Sequence, residues 1–202
     1  HCISSAASDV YKRQGRDPRA SVMENIVKTI DLAIEYLPVK TKVYRISRDA
    51  ALLLKARICL YEGTYRRYRN LEGDAEYLKL AYEAAGALMD MGHSLYKSAT
   101  PEQSYFDLFI QDKYDTNPEV ILAREYDASI NMGNNVSNSI PGAIMGMSRD
   151  CFEEYLCATT GKPISQCGCH NPDMGQIQEM ENRDGRLLQT VCLPKAGEYS
   201  RC

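Results

Sequence analysis

The chain has 202 residues, 44% of them hydrophobic, and a formal net charge of −3. Its length suits a single globular core or part of a larger domain. Its mild acidity argues against nucleic acid as a partner, because phosphate-binding surfaces are usually basic. No apolar run is long enough to predict a membrane-spanning helix. The 14 tyrosines, against 3 phenylalanines and no tryptophan, suit sugar surfaces and interfaces as well as an ordinary globular protein.

The first residues do not read as native protein. The segment from Ser4 to Gln14 corresponds to the reading-frame translation of a transposase adapter used in sequencing libraries. We therefore expect residues 1–14 to be non-native and exclude them from fold reasoning. The native part is then expected to begin near Gly15 and to be an internal fragment of a longer protein.

The first predicted helix begins at Ser21-Val22-Met23-Glu24, which has the pattern of a capping box. Apolar residues follow at helical spacing, and Pro38 is expected to end the helix. A second helix is predicted to begin at the cap residue Ser47. It is apolar almost all round, so we expect it to be buried between neighbours. Gly63 stands where a left-handed residue would end it.

A third helix is predicted after Gly73, with one apolar stripe and several alanines that allow a neighbouring helix to approach closely. Helices joined by short links in this way resemble tetratricopeptide-type hairpins, although the repeat is irregular. We predict a mainly α fold of irregular hairpins over residues 20–97. Residues 98–202 form a loop-rich region of the same domain.

This second region has weaker signals for regular structure. Residues 120–122 predict a short strand or an extended segment, and residues 127–147 read as a long loop of the kind that often carries function. A helix is predicted from Ser148 to about Leu156. Beyond Thr160 the sequence is irregular.

Five separated sequence blocks carry a resemblance to a known family. They are Asp31-Leu32-Ala33 to Leu37-Pro38, Ile46-Ser47-Arg48-Asp49-Ala50 to Leu60-Tyr61-Glu62-Gly63-Thr64, Asn117-Pro118-Glu119-Val120-Ile121, Thr160-Gly161-Lys162-Pro163-Ile164 and Asn182-Arg183-Asp184-Gly185-Arg186-Leu187. In this order and spacing they resemble the middle of SusD/RagB family outer-membrane glycan-binding lipoproteins, across residues 17–194. The family usually has proline where Gly185 stands.

The resemblance implies a binding protein and not an enzyme. Members of this family lie on the cell surface over a SusC-like TonB-dependent transporter and help to capture oligosaccharides or peptides for import. They are held in the outer membrane by a lipid anchor, which this fragment would lack. Their tetratricopeptide-like hairpins pack against the transporter, and loops on the opposite side carry the ligand site. No cofactor is implied.

Candidate ligand-binding residues follow the third block, where the resemblance places ligand-facing loops. Aromatic faces stack on sugar rings, while amide groups bind sugar hydroxyls. The residues selected on this basis are Tyr126, Asn131, Asn134 and Asn135, with Asn138 offering the same chemistry. The alternative is a polar loop that uses asparagine for its turns.

Several other residues could suggest chemistry. Tyr65-Arg66-Arg67-Tyr68-Arg69 is interpreted as a solvated loop or a transporter contact and not as a nucleic-acid patch. Cys157, Cys167, Cys169 and His170 have the residue types of a zinc site. They lack the usual paired C-x₂-C spacing, so incidental cysteines, a disulfide and a metal site all stay open. No residue is assigned to a metal.

Two other functions compete with glycan binding. A helical scaffold that binds only protein partners would suit the alanine-rich helices equally well. An α-helical carbohydrate-active enzyme is the other. Glu153 and Glu154 diverge by about 100° on a helix and cannot act as a catalytic pair. No nucleophile elbow, P-loop or dinucleotide fingerprint occurs in the sequence.

Overall fold

The computed structural model describes residues 15–127, 129, 131–136, 146–170, 175–191, 194–195 and 198–199. The segment 1–14 therefore lies outside the described residues, as does Asn138. The chain divides into two compact units: residues up to His93 with Val120–Ala123, and Ser94–Glu119 with the chain from Arg124 onward. The prediction of a mainly α fold is confirmed. The single-domain assignment and the tetratricopeptide-like arrangement stay predictions.

The first unit consists of α1 (Arg19–Tyr36), α2 (Arg48–Tyr68) and α3 (Asp74–Met89). Helix α2 packs against both of the others, and most extensively against α3. The core side chains of this unit are Met23, Ile30, Ala50, Ala51, Leu52, Cys59, Ala81 and Ala84. Small residues supply much of this core, so the helices approach closely.

The start of α1 differs from the prediction. The helix begins at Arg19, directly after Pro18, so Ser21 already lies inside it. The predicted capping box is therefore wrong, and Glu24 instead accepts a hydrogen bond from Lys28 one turn later, at 2.8 Å. The predicted end is confirmed, because Leu37 is extended with ψ 146°, as the residue before a proline prefers.

Gly63 does not end α2, which continues to Tyr68. The glycine is buried, and a Cβ added there would lie 2.7 Å from Leu78 Cγ and 3.0 Å from the Leu78 backbone nitrogen. The predicted role as a helix terminator is therefore wrong. Gly63 instead allows Leu78 of α3 to lie close to the α2 backbone.

The expectation that α2 is buried on all sides is also wrong. Its side chains Leu54, Leu60 and Tyr61 are 50%, 53% and 64% exposed. Helices α1 and α3 cover only part of its circumference, so the described residues leave an apolar strip uncovered.

The basic aromatic segment at the end of α2 is helical, so the interpretation as a loop is wrong. Its Arg66 donates to the carboxylate of Glu62 at 2.8 Å and to the Glu72 carbonyl at 2.7 Å. Arg19 from α1 donates to the same carboxylate at 2.6 Å, and its guanidinium lies 3.9 Å above the ring of Tyr65. These arginines join the ends of the helices.

The second unit has shorter elements. Its helices are α4 (Ser104–Phe109), α5 (Arg149–Glu153), α6 (Gln176–Met180) and α7 (Gly185–Thr190), with 3₁₀ turns at Pro101–Gln103 and Ile164–Gln166. Strands β1 (Pro194–Lys195) and β2 (Glu198–Tyr199) pair antiparallel, with Pro194 opposite Tyr199. Helix α5 is shorter than predicted.

Of the two alternatives predicted for residues 120–122, a short strand or an extended segment, the strand is not formed. These residues are described and belong to no strand, while the following amide of Ala123 donates to the Val43 carbonyl at 2.9 Å. Across the described ranges, none of the helices has both the length and the hydropathy to cross a bilayer.

Candidate functional site

The predicted ligand residues lie in an exposed turn of the second unit. Asp127 and Met132 form an antiparallel bridge in which each amide donates to the other carbonyl, at 2.8 and 3.0 Å. The Asp127 carboxylate also accepts from the amide and hydroxyl of Ser129, at 2.8 and 2.6 Å. These bonds lower the pKa of Asp127, with the Ser129 hydroxyl as the largest cause. The turn is thus closed by its own backbone and one carboxylate.

Tyr126 stands at the entrance of this turn with 47% of its surface exposed. The guanidinium of Arg124 lies 5.3 Å from its ring centroid, a distance at which a cation is attracted to an aromatic face. Arg124 therefore orients the ring. The exposed part of the ring presents the apolar surface that stacking on a sugar needs.

The asparagines of the turn have partly local roles. Asn131 has a left-handed φ of 57°, which asparagine tolerates better than most residues. The side-chain oxygen of Asn134 accepts from the Val136 amide at 3.0 Å. Asn135 is exposed. Asn131 and Asn134 therefore shape the turn, and their amide groups can serve a ligand only in addition to that role.

A cleft lies between α4 and α7. Its volume of about 410 Å³ is within the range of ligand sites. Its lining residues include Tyr96, Tyr105, Glu119, Arg186 and Gln189. Two of the polar groups are already engaged, since Glu119 accepts from the Tyr96 amide at 2.8 Å and Gln189 from the Phe106 amide at 2.9 Å. Sequence reasoning missed this cleft because its residues are far apart in the chain.

The fifth sequence block pairs with the segment that precedes the fourth. Cys157 and Arg183 form an antiparallel bridge, and the flanking amides of Ala158 and Asp184 donate to the carbonyls of Asn182 and Leu156, each at 2.9 Å. The fourth block forms the turn on one side of this pairing, with Gly161 at φ 65°. The fifth block forms the other side. These blocks thus build the scaffold of the second unit.

Arg183 lies at the centre of this scaffold and is only 5% exposed. Its guanidinium donates to the carbonyls of Phe152, Tyr155 and Glu179, at 2.9, 2.6 and 3.3 Å. It therefore satisfies carbonyl groups at the ends of short helices, where no intrahelical partner exists.

A pocket of about 280 Å³ opens beside this scaffold. On one side, Arg149 makes two parallel hydrogen bonds of 2.9 Å to the carboxylate of Glu179 and also pairs with Glu153. The Arg149 hydrogen bonds lower the pKa of Glu179. Arg149 thus holds the Glu179 carboxylate in its charged form.

The same pocket is bordered by a group of cysteines. The sulfur atoms of Cys157, Cys167 and Cys169 all lie within 4.8 Å of one another, and all three are free thiols. Contacts with Thr160, first its hydroxyl and then its amide, lower the pKa of Cys157 to about 6. The neighbouring Cys167 thiol raises the pKa of Cys169 to about 11. The group thus favours one thiolate and disfavours further negative charge.

His170 follows this group directly and lines the pocket together with Cys167. Both of its ring nitrogens are buried, and neither has a hydrogen-bond partner among the residues that the structure describes. Sequence reasoning noted all four residues, but their spacing did not reveal that the three sulfurs converge. One sequence signal could have revealed this convergence. A short turn at Gly161-Lys162-Pro163 separates Cys157 from the Cys-Gly-Cys motif at residues 167–169.

Comparisons with protein-family models, with curated proteins and with solved structures find no match to this chain.

Proposed function

We propose that this chain is the glycan-binding subunit of a nutrient-import complex on the surface of the outer membrane, where it works with a SusC-like TonB-dependent transporter. The observation that carries the proposal is the resemblance of five ordered sequence blocks to the SusD/RagB family. The mainly helical fold supports it. In this role the protein captures its ligand without cleaving it, and a lipid anchor attaches it to the membrane.

The ligand surface in this proposal is the exposed turn at residues 126–136. Tyr126 stacks on the C–H face of a sugar ring, while exposed amides such as that of Asn135 bind its hydroxyl groups. Such a site needs a preordered aromatic ring. The contact with Arg124 and the bridge that closes the turn supply that order.

The proposal is tested by probing a glycan array with the whole chain. The glycans that bind are then titrated against the protein by calorimetry. We expect Tyr126→Ala to weaken binding about fivefold, because one aromatic stacking contact contributes roughly 1 kcal/mol. Tyr82→Ala is the matched control, since Tyr82 is 80% exposed on α3 in the first unit. It should leave the dissociation constant unchanged.

Three outcomes of this experiment are informative. Loss of binding in Tyr105→Ala but not in Tyr126→Ala would assign the ligand to the cleft between α4 and α7. Binding to a peptide library in place of glycans would keep the import role and change the ligand class. Absence of both activities in folded protein would contradict the proposal.

The alternative is a helical scaffold that binds only proteins, and one observation favours it. A cleft of about 350 Å³ runs beside α1 and α2, lined by apolar residues that include Ile30, Leu37, Ile46 and Leu54. Ile46 is 63% exposed and Leu54 50%. An apolar surface of this kind suits a protein contact.

Recovering the sequence upstream of Gly15 separates the two functions. A signal peptide followed by a lipobox cysteine supports the import role. A cytosolic start without an export signal contradicts it and leaves the scaffold.

A further inference from the structure

Two of the three clustered cysteines, Cys157 and Cys167, are held by backbone hydrogen bonds that do not involve their sulfur atoms. The turn after Cys157 is closed by the Cys157 amide, which donates to the Lys162 carbonyl at 3.0 Å, and by the Gly161 amide, which donates to the Cys157 carbonyl at 2.8 Å. The Cys167 amide ends a 3₁₀ turn by donating to the Ile164 carbonyl at 3.2 Å. The chain therefore brings the thiols together without a covalent link.

This arrangement fits a metal ion bound by sulfur. Tetrahedral zinc binds thiolates at about 2.3 Å, which places neighbouring sulfurs about 3.8 Å apart, and the three sulfurs here lie within 4.8 Å of one another. We propose that Cys157, Cys167 and Cys169 bind one Zn²⁺ ion through their sulfur atoms. Binding displaces to solvent the protons that the thiols still carry, and it involves no change of oxidation state.

The surroundings of the sulfurs suit thiolate ligands. The Thr160 hydroxyl donates to the Cys167 sulfur at 3.3 Å, and the side-chain amide of Asn182 donates to the Cys157 sulfur at 3.8 Å. Hydrogen bonds of this kind orient metal ligands. Three thiolates and one Zn²⁺ carry a net charge of −1. The buried guanidinium of Arg183, whose backbone forms an isolated bridge with that of Cys157, is a cation of opposite sign.

A disulfide explains the cluster less well. It would use two of the sulfurs and leave the third as an unpaired thiol beside the bond. A zinc ion uses all three, and its fourth tetrahedral position is filled by His170 if the ring turns towards the sulfurs, or by water if it does not. The two ring nitrogens of His170, which lack partners within the described ranges, make it available as a ligand.

The test is a titration of the reduced, metal-free whole chain with Co²⁺ under anaerobic conditions. Thiolate–cobalt charge-transfer absorption should saturate at one ion per chain and disappear when Zn²⁺ is added. We expect Cys169→Ser to weaken Co²⁺ binding by roughly tenfold or more. Cys169 is exposed, so this variant should keep the fold, as measured by far-ultraviolet circular dichroism.

Cys151→Ser is the matched control, since Cys151 is exposed and lies outside the cluster. It should bind Co²⁺ as the parent does. Cys157→Ser and Cys167→Ser should also lose the absorption, and His170→Ala should weaken binding only if the ring is the fourth ligand. Absence of the absorption in folded, reduced parent protein overturns the proposal. Equal loss in the Cys151→Ser variant overturns it as well.

Discussion

The two units of the chain satisfy their backbone hydrogen-bonding groups by different means. The first has long helices, and its core is built from small and aliphatic side chains on α1, α2 and α3. The second has helices of five or six residues, and its buried residues include Arg183, Glu179 and two of the three clustered cysteines. Long helices satisfy their own backbone groups, whereas short ones depend on side chains to do so.

We expect the two units to respond differently to substitution. The first unit should be sensitive to side-chain volume, because its helices touch at small residues. The second should be sensitive to the removal of charged donors, because these satisfy buried carbonyls. Four substitutions, two of them with a matched control, test the two units.

The largest effect is expected from Arg183→Met, which keeps the aliphatic part and removes the guanidinium. Three buried carbonyls then lose their donor, and we expect the free energy of unfolding of the second unit to fall by about 3 kcal/mol. Hydrogen exchange of peptides covering residues 149–160 measures the effect locally. Exchange in residues 48–89 should not change.

Arg186→Met is the control for that substitution. The Arg186 side chain is 60% exposed and pairs with Asp184 at the surface, so its loss should cost little. If Arg183→Met and Arg186→Met lowered the free energy of unfolding equally, the burial of Arg183 would not be what stabilises the second unit.

A smaller effect is expected from Gly63→Ala in the first unit. The new methyl group would meet Leu78 at 2.7 Å, and we expect a loss of about 2 kcal/mol despite the gain in helix propensity. Gly86→Ala is the matched control, because no atom lies within 4 Å of that position. It should gain about 0.5–1 kcal/mol. Urea unfolding followed by circular dichroism measures both, and a stabilising Gly63→Ala would show that the helices have room to separate.

The first unit also buries the polar residues Ser47, Asp49 and Glu62, and Glu62 gives this unit a pH dependence. Burial raises the pKa of Glu62, but hydrogen bonds from Arg19 and Arg66 outweigh burial and hold the pKa below its ordinary value of 4.5. The stabilisation is therefore complete above that value and is lost as the pH falls through the lower folded-state pKa.

Glu62→Gln should remove this part of the pH dependence. It should also cost about 2 kcal/mol at neutral pH, because the arginines lose a charged partner. Thermal unfolding between pH 3 and 7 (a window of about four pH units around the ordinary carboxyl pKa) measures both effects. A parent and variant with parallel pH profiles would contradict the assignment of this dependence to Glu62.

The smallest effect is expected from Gly185→Pro, which places a proline at the first position of α7. Gly185 is the first residue of α7, no atom would lie within 4 Å of its Cβ, and Asp184 before it is extended with ψ 126°. Proline suits the first helical position, so the melting temperature should rise, by an amount equivalent to about 0.5 kcal/mol. A fall would show that the backbone here is not suited to proline.

The sequence could predict features that depend on nearby residues. The end of α1 before Pro38 and the start of α3 after Gly73 follow from local backbone preferences, and both were predictable. The role of Gly63 was not, because a glycine that ends a helix and one that allows a close approach look the same in a sequence. The cleft between α4 and α7 and the convergence of Cys157 with Cys169 depend on how distant segments pair.

The close approach at Gly63 also bears on the order in which the chain acquires its structure. Helices α2 and α3 are joined by the short connection at residues 69–73, so their contacts close a small loop, and such contacts form quickly. The bond from Arg183 to Phe152 spans 31 residues. During synthesis from the N-terminus, the α2–α3 pair is complete in sequence long before Arg183 leaves the ribosome. We therefore expect this hairpin to become ordered before the second unit.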